Sequence, residues 1–170
     1  MKYLIAFYIG RFRQHKNIDL SGVRRLIFIC HGNICRSPLG EVVAKTNGFD
    51  AISYGLDTRG NAPADPRAVA FARSVSLDLS PHLTRRIEHY QPVAGDLLIG
   101  MEPHHAYQLK EIYGNRVPIT LIGLWLNKPI PYLHDPYSAN TVYFNYCEEN
   151  VVKATQSIIT KIKRGINNDC

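Results

Sequence analysis

Five residues separate Cys30 from Arg36 in the run Cys30-His31-Gly32-Asn33-Ile34-Cys35-Arg36-Ser37-Pro38. A thiolate is a nucleophile, and a guanidinium is a planar, permanent cation that binds two oxygens of a phosphate at once. Ahead of the cysteine, Leu26 to Ile29 form a continuous apolar run, the pattern of a strand buried on both faces. Gly32 and Asn33 suit a tight loop, and Pro38 marks the expected start of a helix. The order strand, loop, helix start aims unpaired backbone N–H groups into the loop, where a tetrahedral oxyanion can sit. The spacing thus describes a cysteine nucleophile facing a phosphate cradle. It is not the nucleotide loop of P-loop NTPases, because no Gly-Lys-Ser or Gly-Lys-Thr occurs in the chain.

Taken singly, these residues have plainer readings. A lone cysteine at a strand end is usually a small buried hydrophobe, and the Asp135-Pro136 pair alone reads as a turn or cap. The pair gains meaning from the chemistry that Cys30 requires. Thiolate attack on a phosphate ester gives a cysteinyl phosphate, and an aryloxide leaves far better if it is protonated as its bond breaks. An acid is therefore needed opposite the thiol. The proline-rich stretch from Gly123 to Asn140 carries His134-Asp135-Pro136-Tyr137, and loops of that length are usually functional.

The elements that must position these groups follow from apolar periodicity. Strands are expected over Leu26–Ile29, Phe49–Tyr54, Asp96–Met101 and Pro118–Ile122. The first helix shows Leu39, Val42 and Val43 on one face and stops at Asn47-Gly48. Asp65-Pro66 caps a second, with Ala68, Ala72 and Val75 inward, and Pro103 opens a third, with Ala106, Leu109 and Ile112 inward. The last helix carries Tyr143, Cys147, Val151, Ala154, Ile158 and Ile162 at helical spacing, closed by Gly165. Alternating strands and helices imply a three-layer α/β/α sandwich around a four-stranded parallel sheet, with the site at the carboxyl ends of the strands. Residues 1–24 read as an N-terminal extension and 25–170 as one domain. The apolar segment Tyr3 to Ile9 is too short to span a bilayer and is compatible with an amphipathic helix lying on the fold or on an anionic membrane surface.

The formal charge is +6, but no basic run exceeds two residues, so the charge reads as attraction for phosphorylated or acidic ligands and no nucleic-acid partner is expected. Four cysteines, at 30, 35, 147 and 170, form neither a CxxC pair nor a zinc set. Cys147 belongs to the buried face of the last helix, and Cys170 to a frayed end. A functional thiolate requires a reducing compartment, so cytoplasm is expected. His104 and His105 are adjacent, and helix neighbours point apart, so no metal site is expected.

The loop Cys30 to Pro38, followed about a hundred residues later by Asp135-Pro136-Tyr137, resembles the low-molecular-weight protein tyrosine phosphatases, over residues 25 to 164. The resemblance implies Cys30 as nucleophile, Arg36 as phosphate clamp and Asp135 as general acid, with neither metal nor cofactor. It further implies that Asn33 holds a strained loop, that Ser37 stabilises the thiolate, and that Ser53 and His82 buttress the loop. Tyr137 would wall the slot for a phenolic ring. His31, Gly32, Ile34 and Cys35 complete the loop, and Cys35 would pair with Cys30 under oxidation, sparing it irreversible damage. Arg59 stands where many relatives flank the slot with an aromatic or apolar residue, and Ser138 replaces a second aromatic; Arg59 would favour acidic flanking residues. The implied substrate is a tyrosine-phosphorylated protein, in bacterial relatives often an autophosphorylating tyrosine kinase. Three alternatives share features of this pattern. Arsenate reductases of the same fold relay a disulfide through further cysteines, and none lies between Cys35 and Cys147. Protein arginine phosphatases typically carry Thr where this chain has Ile34. A phosphotyrosine-binding module would dispense with Cys30, Arg36 or Asp135.

Overall fold

The computed structural model describes Gly10 and residues 12–168, so the Tyr3–Ile9 helix and Cys170 lie outside the described residues. Four parallel strands, β1 (Arg25–Cys30), β2 (Asp50–Gly55), β3 (Asp96–Gly100) and β4 (Ile119–Leu121), form one sheet in the order β2-β1-β3-β4. Arg25 is in register with Asp50 on one side and Asp96 on the other. A bidentate ion pair fixes the second alignment, with Arg25 Nε and Nη2 at 2.7 and 2.8 Å from the two Asp96 oxygens. Tyr90 Oη donates to the same carboxylate.

The crossover from β1 to β2 runs to one side of the sheet and that from β3 to β4 to the other. With right-handed connections the intervening helices α2 (Arg36–Thr46) and α4 (Pro103–Tyr113) lie on opposite faces. The chain therefore parts at the carboxyl ends of β1 and β3, where ligands of such sheets bind. Gly40 lets α2 lie flat on β1: a Cβ there would stand 2.6 Å from the Phe28 ring. Helix α5 (Thr141–Asn168) packs along α2, and α3 (Pro66–Ser74) packs against both. None of the helices among the described residues is long and apolar enough to cross a membrane.

Four expectations require correction. Helix α2 begins at Arg36, two residues before Pro38; proline is tolerated there because N–H groups of a first turn have no intrahelical acceptor. Val75 is the C-cap of α3 and is exposed, while Phe71 is buried in its place. Ile112 is exposed on α4 because steps of three residues drift around a helix of 3.6 per turn, so Tyr113, four beyond Leu109, takes the inward position. Gly165 does not end α5, which runs to Asn168; a helical glycine costs only about 1 kcal/mol.

Residues 12–24 fold onto the sheet edge. Phe12 and Val23 are buried, and the short helix α1 (Arg13–Lys16) covers β4, the His15 Nδ1 lying 2.9 Å from the Ile119 carbonyl. An exposed strand edge is a hazard for aggregation, and α1 occupies it. The stretch after β4 opens with a 3-10 turn, Ile122–Trp125, and Leu133 N–H then bonds the Met101 carbonyl just past β3. That bond carries His134 to Tyr137 across the end of β1.

Candidate active site

Cys30 is the last residue of β1, and the five residues between it and α2 curl over it. Asn33 makes this turn at φ 57°, a left-handed conformation that asparagine tolerates better than most residues. Its side chain then acts as a hub. Nδ2 donates to Ser37 Oγ and to Ser53 Oγ, each at 2.9 Å, and Oδ1 accepts from the Arg85 N–H at 2.8 Å. Its carbonyl lies 2.8 Å from His82 Nε2. Burial lowers the His82 pKa, so the ring is neutral and donates through Nε2.

This hub sets the direction of the hydrogen bond at the sulfur. Because Ser37 Oγ accepts from Asn33, its own proton is free to point to Cys30 Sγ, 2.9 Å away. The Asn33 N–H reaches the same sulfur at 3.3 Å. Two donors converging on one sulfur is the arrangement that holds negative charge there. Beneath them Ser53 donates to Glu41 at 2.7 Å, and that buried carboxylate is offset by Lys45 and Arg85 at 2.6 and 3.0 Å.

A hollow of about 220 Å³ opens above the sulfur, lined by Cys30, His31, Gly32, Ile34, Cys35, Arg36, Asp135 and Tyr137. Arg36 is 1% exposed. Its Nη1 is fixed by Glu102 at 2.6 Å and by the Leu133 carbonyl at 2.8 Å, while Nη2 meets Asp135 Oδ2 at 2.8 Å. Nε has no hydrogen-bond partner among the described residues. One edge of the guanidinium is thus anchored to the frame, and the Nε/Nη2 edge is the one that two phosphate oxygens can take. Asp135 also accepts from the Tyr137 N–H at 3.0 Å, a turn that stands Tyr137, 59% exposed, at the rim. His31 is exposed and lies 3.6 Å from Asp57, itself exposed. Arg59 is exposed and is not among the residues that line the hollow.

Cys35 is a free thiol, like Cys30, and burial followed by the nearby Glu148 pushes its pKa far up. Cys147 is buried, and burial raises its thiol to about 11. Contrary to the expectation that they point apart, His104 and His105 have ring centroids 4.2 Å apart, and with Glu102 they bring three donor atoms within 4.8 Å of one another. The reason is the helix start: His104 Nδ1 turns back to 3.6 Å from Glu102, which precedes Pro103. Two members are already engaged, since Glu102 holds Arg36 and His105 Nδ1 accepts from the Met101 N–H.

Sequence reasoning missed four charged residues that shape the site. Glu102 and Glu41 orient Arg36 and Ser53. Arg67 ties the Asp135 loop down, donating to the Tyr137 carbonyl at 2.7 Å and to Asp65 at 2.9 Å. Glu148, on α5, is wholly buried with neither carboxyl oxygen hydrogen-bonded among the described residues. Only its place on the apolar stripe of α5, next to Cys147, could have marked it.

Burial pushes Glu148 up to about 8; Arg36 opposes this, and Asp65 and Asp135 reinforce it. The folded protein therefore keeps a proton that the unfolded chain releases above about 4.5, the ordinary value for this carboxyl. Stability from this group is intact below that pH and is lost progressively as pH rises towards 8. Glu148→Gln keeps the shape and removes the titration. We expect the variant to be more stable than the parent by on the order of 3 kcal/mol near pH 7.5, and by nearly nothing near pH 4.5. Urea unfolding at the two pH values measures this, and an equal difference at both would mean that Glu148 does not titrate as stated.

A family model described as "Low molecular weight phosphotyrosine protein phosphatase" matches residues 25–168. The low molecular weight protein-tyrosine-phosphatase Etp of Escherichia coli K12 is 30% identical over 143 residues, covering 82% of this chain and 95% of Etp. The crystal structure of the Erwinia amylovora tyrosine phosphatase AmsI superposes with a TM-score of 0.72 at 26% identity, over 82% of this chain and 93% of that one. Wzb of Vibrio vulnificus, solved with benzylphosphonate, gives 0.70 at 26% identity over 84% and 99%. The α/β/α sandwich with its four-stranded parallel sheet is the fold of these enzymes. With a hollow at the foot of β1 ringed by Cys30, Arg36 and Asp135, and a match spanning the whole described sheet, the chain belongs to the low molecular weight phosphotyrosine protein phosphatase family.

Proposed function

We infer that this phosphatase works through Cys30, Arg36 and Asp135 on phosphotyrosine in proteins. The observation that carries the reading is the convergence of Ser37 and Asn33 on Cys30 Sγ, beneath the paired Arg36 and Asp135. An entering phosphate takes the Nε/Nη2 edge of Arg36 and so displaces the Asp135 carboxylate, which takes up a proton from solvent as it turns towards the aryl oxygen. Cys30 Sγ bonds to phosphorus as the phosphorus–aryl oxygen bond breaks, and Asp135 gives its proton to the departing phenol. Asp135 then takes a proton from water, whose oxygen bonds to phosphorus as the sulfur–phosphorus bond breaks, releasing phosphate. Charge on the equatorial oxygens is met by Arg36 and the loop amides.

Tyr137 forms one wall for the phenolic ring, and the benzylphosphonate on Vibrio vulnificus Wzb is a ligand of the same shape. Ser53 and His82 buttress the loop through Asn33. Cys35, in the same hollow, is the partner for Cys30 under oxidation. Arg59 acts at the rim, on acidic residues flanking the phosphotyrosine. Residues 25–170 form the catalytic domain, and 1–24 an extension of it. A cytoplasmic site suits a nucleophilic thiol that must stay reduced, and an autophosphorylating tyrosine kinase is one phosphotyrosine protein of the proposed substrate class. The deciding measurement compares phosphotyrosine, phosphoserine and phosphoarginine peptides, and arsenate with a thiol reductant. Phosphotyrosine is expected to be hydrolysed at the highest kcat/KM by at least about a hundredfold; phosphoarginine or arsenate turning over faster would overturn the reading.

A further inference from the structure

A cavity of about 850 Å³ lies away from the catalytic hollow and shares no lining residue with it. One wall is a stripe of α5, Tyr146, Asn150, Lys153, Ser157 and Lys161, spaced three or four residues apart so that all face one way. The opposite wall is the start of the long loop, from Trp125 to Ile130, including Lys128. Lys16 closes one end, from a segment that precedes the family match at residue 25.

Its charge is one-sided. Among the described residues, four lysines line the cavity and no acidic residue does. Lys153 pairs with Glu149 at 3.1 Å, but among the described residues Lys16, Lys128 and Lys161 have no carboxylate within ion-pair distance. Lys16 is held in place by the Leu124 carbonyl and by the Trp125 ring, whose centroid is 4.4 Å from its ammonium. Burial, then Lys161, lowers its pKa. Lys16 and Lys161 repel one another without a counter-charge, and an anion between them removes that cost. Leu126, Pro129 and Ile130 add an apolar floor and Tyr146 an exposed ring. The volume falls within the about 300–1,000 Å³ usual for small-ligand pockets.

We propose that this cavity binds a small ligand carrying several linked phosphates, of the nucleoside-polyphosphate class, with the phosphates on Lys16, Lys128, Lys153 and Lys161 and a ring against Tyr146. Inorganic polyphosphate shares the anionic part of this chemistry, and the test separates the two.

Trp125 is the sole tryptophan of the chain, so its emission reports on this cavity alone. ATP, tripolyphosphate and adenosine are titrated in turn at constant ionic strength, without metal, on the parent, on the parent with its catalytic hollow saturated by an unreactive aryl phosphonate, and on Lys153→Gln/Lys161→Gln. Both of these lysines are exposed, and turnover of p-nitrophenyl phosphate by the double variant verifies its fold. Saturable changes with ATP or tripolyphosphate are expected, retained with the hollow blocked by phosphonate and weakened at least about tenfold in the lysine variant. Lys16→Gln, tested separately, should weaken binding likewise. Tighter binding of ATP identifies the nucleoside form, and equal binding the inorganic chain. No saturable change, equal affinity in the lysine variants, loss when the phosphonate fills the hollow, or adenosine binding as well as ATP would each overturn the proposal. Turnover of the aryl phosphate is measured separately, so failure here leaves the catalytic reading standing.

Discussion

Cys30→Ser binds aryl phosphate with an affinity within a few-fold of the parent and shows kcat lower by at least about 10⁴-fold. Binding survives because the cradle does not depend on the sulfur. Asn33 stays fixed by Ser37, Ser53, Arg85 and His82, and Arg36 by Glu102 and Leu133. Turnover fails because a serine hydroxyl is a weak nucleophile unless a base removes its proton. None of the neighbours can serve: His82 Nε2 is spent on the Asn33 carbonyl, and Ser37 is itself a donor towards that position. Calorimetry with an unreactive aryl phosphonate measures the first half of the prediction, and single-turnover assays the second. Turnover above one hundredth of the parent's would mean that another group attacks phosphorus, and loss of binding would mean that the substitution collapsed the loop.

The catalytic loop was legible because its requirements are local. A buried strand, a turn that only a few residue types can make, and an arginine at fixed separation all fall within fourteen residues, Arg25 to Pro38. Asp135 could be read because a departing aryloxide calls for an acid and the family resemblance places that role on Asp135-Pro136-Tyr137, in a long loop; alone the pair reads as a turn. Glu102, Glu41 and Arg67 could not. Each is a single charge on or beside a helix, where sequence offers solvent as the default, and their partners Arg36, Ser53 and Tyr137 lie 66, 12 and 70 residues away. Glu148 escaped for the opposite reason. It stands next to Cys147 on a face where periodicity predicts apolar side chains, and a buried carboxyl without a hydrogen bond has no sequence signature. Residues 12–24 were equally opaque: covering β4 rests on one ring nitrogen and two buried apolar side chains, and a four-residue helix leaves no periodicity to read.

Asp135→Ala separates substrates by their leaving groups. For phosphotyrosine peptides kcat is expected to fall by about 10²- to 10³-fold, the usual contribution of a positioned general acid. For p-nitrophenyl phosphate, whose aryloxide spreads its charge into the nitro group and needs less help from a proton, the fall should be smaller by at least about tenfold. A second effect has the opposite sign. Without substrate the Asp135 carboxylate occupies Arg36 Nη2 at 2.8 Å, where a phosphate oxygen must bind. Removing it deletes a competitor, so inorganic phosphate should inhibit the variant at lower concentration than the parent. The turn at Tyr137 loses its acceptor, yet the segment stays tethered through Arg67 and through Leu133, so the slot itself persists. Steady-state assays on both substrates, with phosphate as inhibitor, read all three quantities. Equal losses on the two substrates would show that Asp135 does not protonate the leaving group, and unchanged phosphate inhibition that its contact with Arg36 does not compete with substrate.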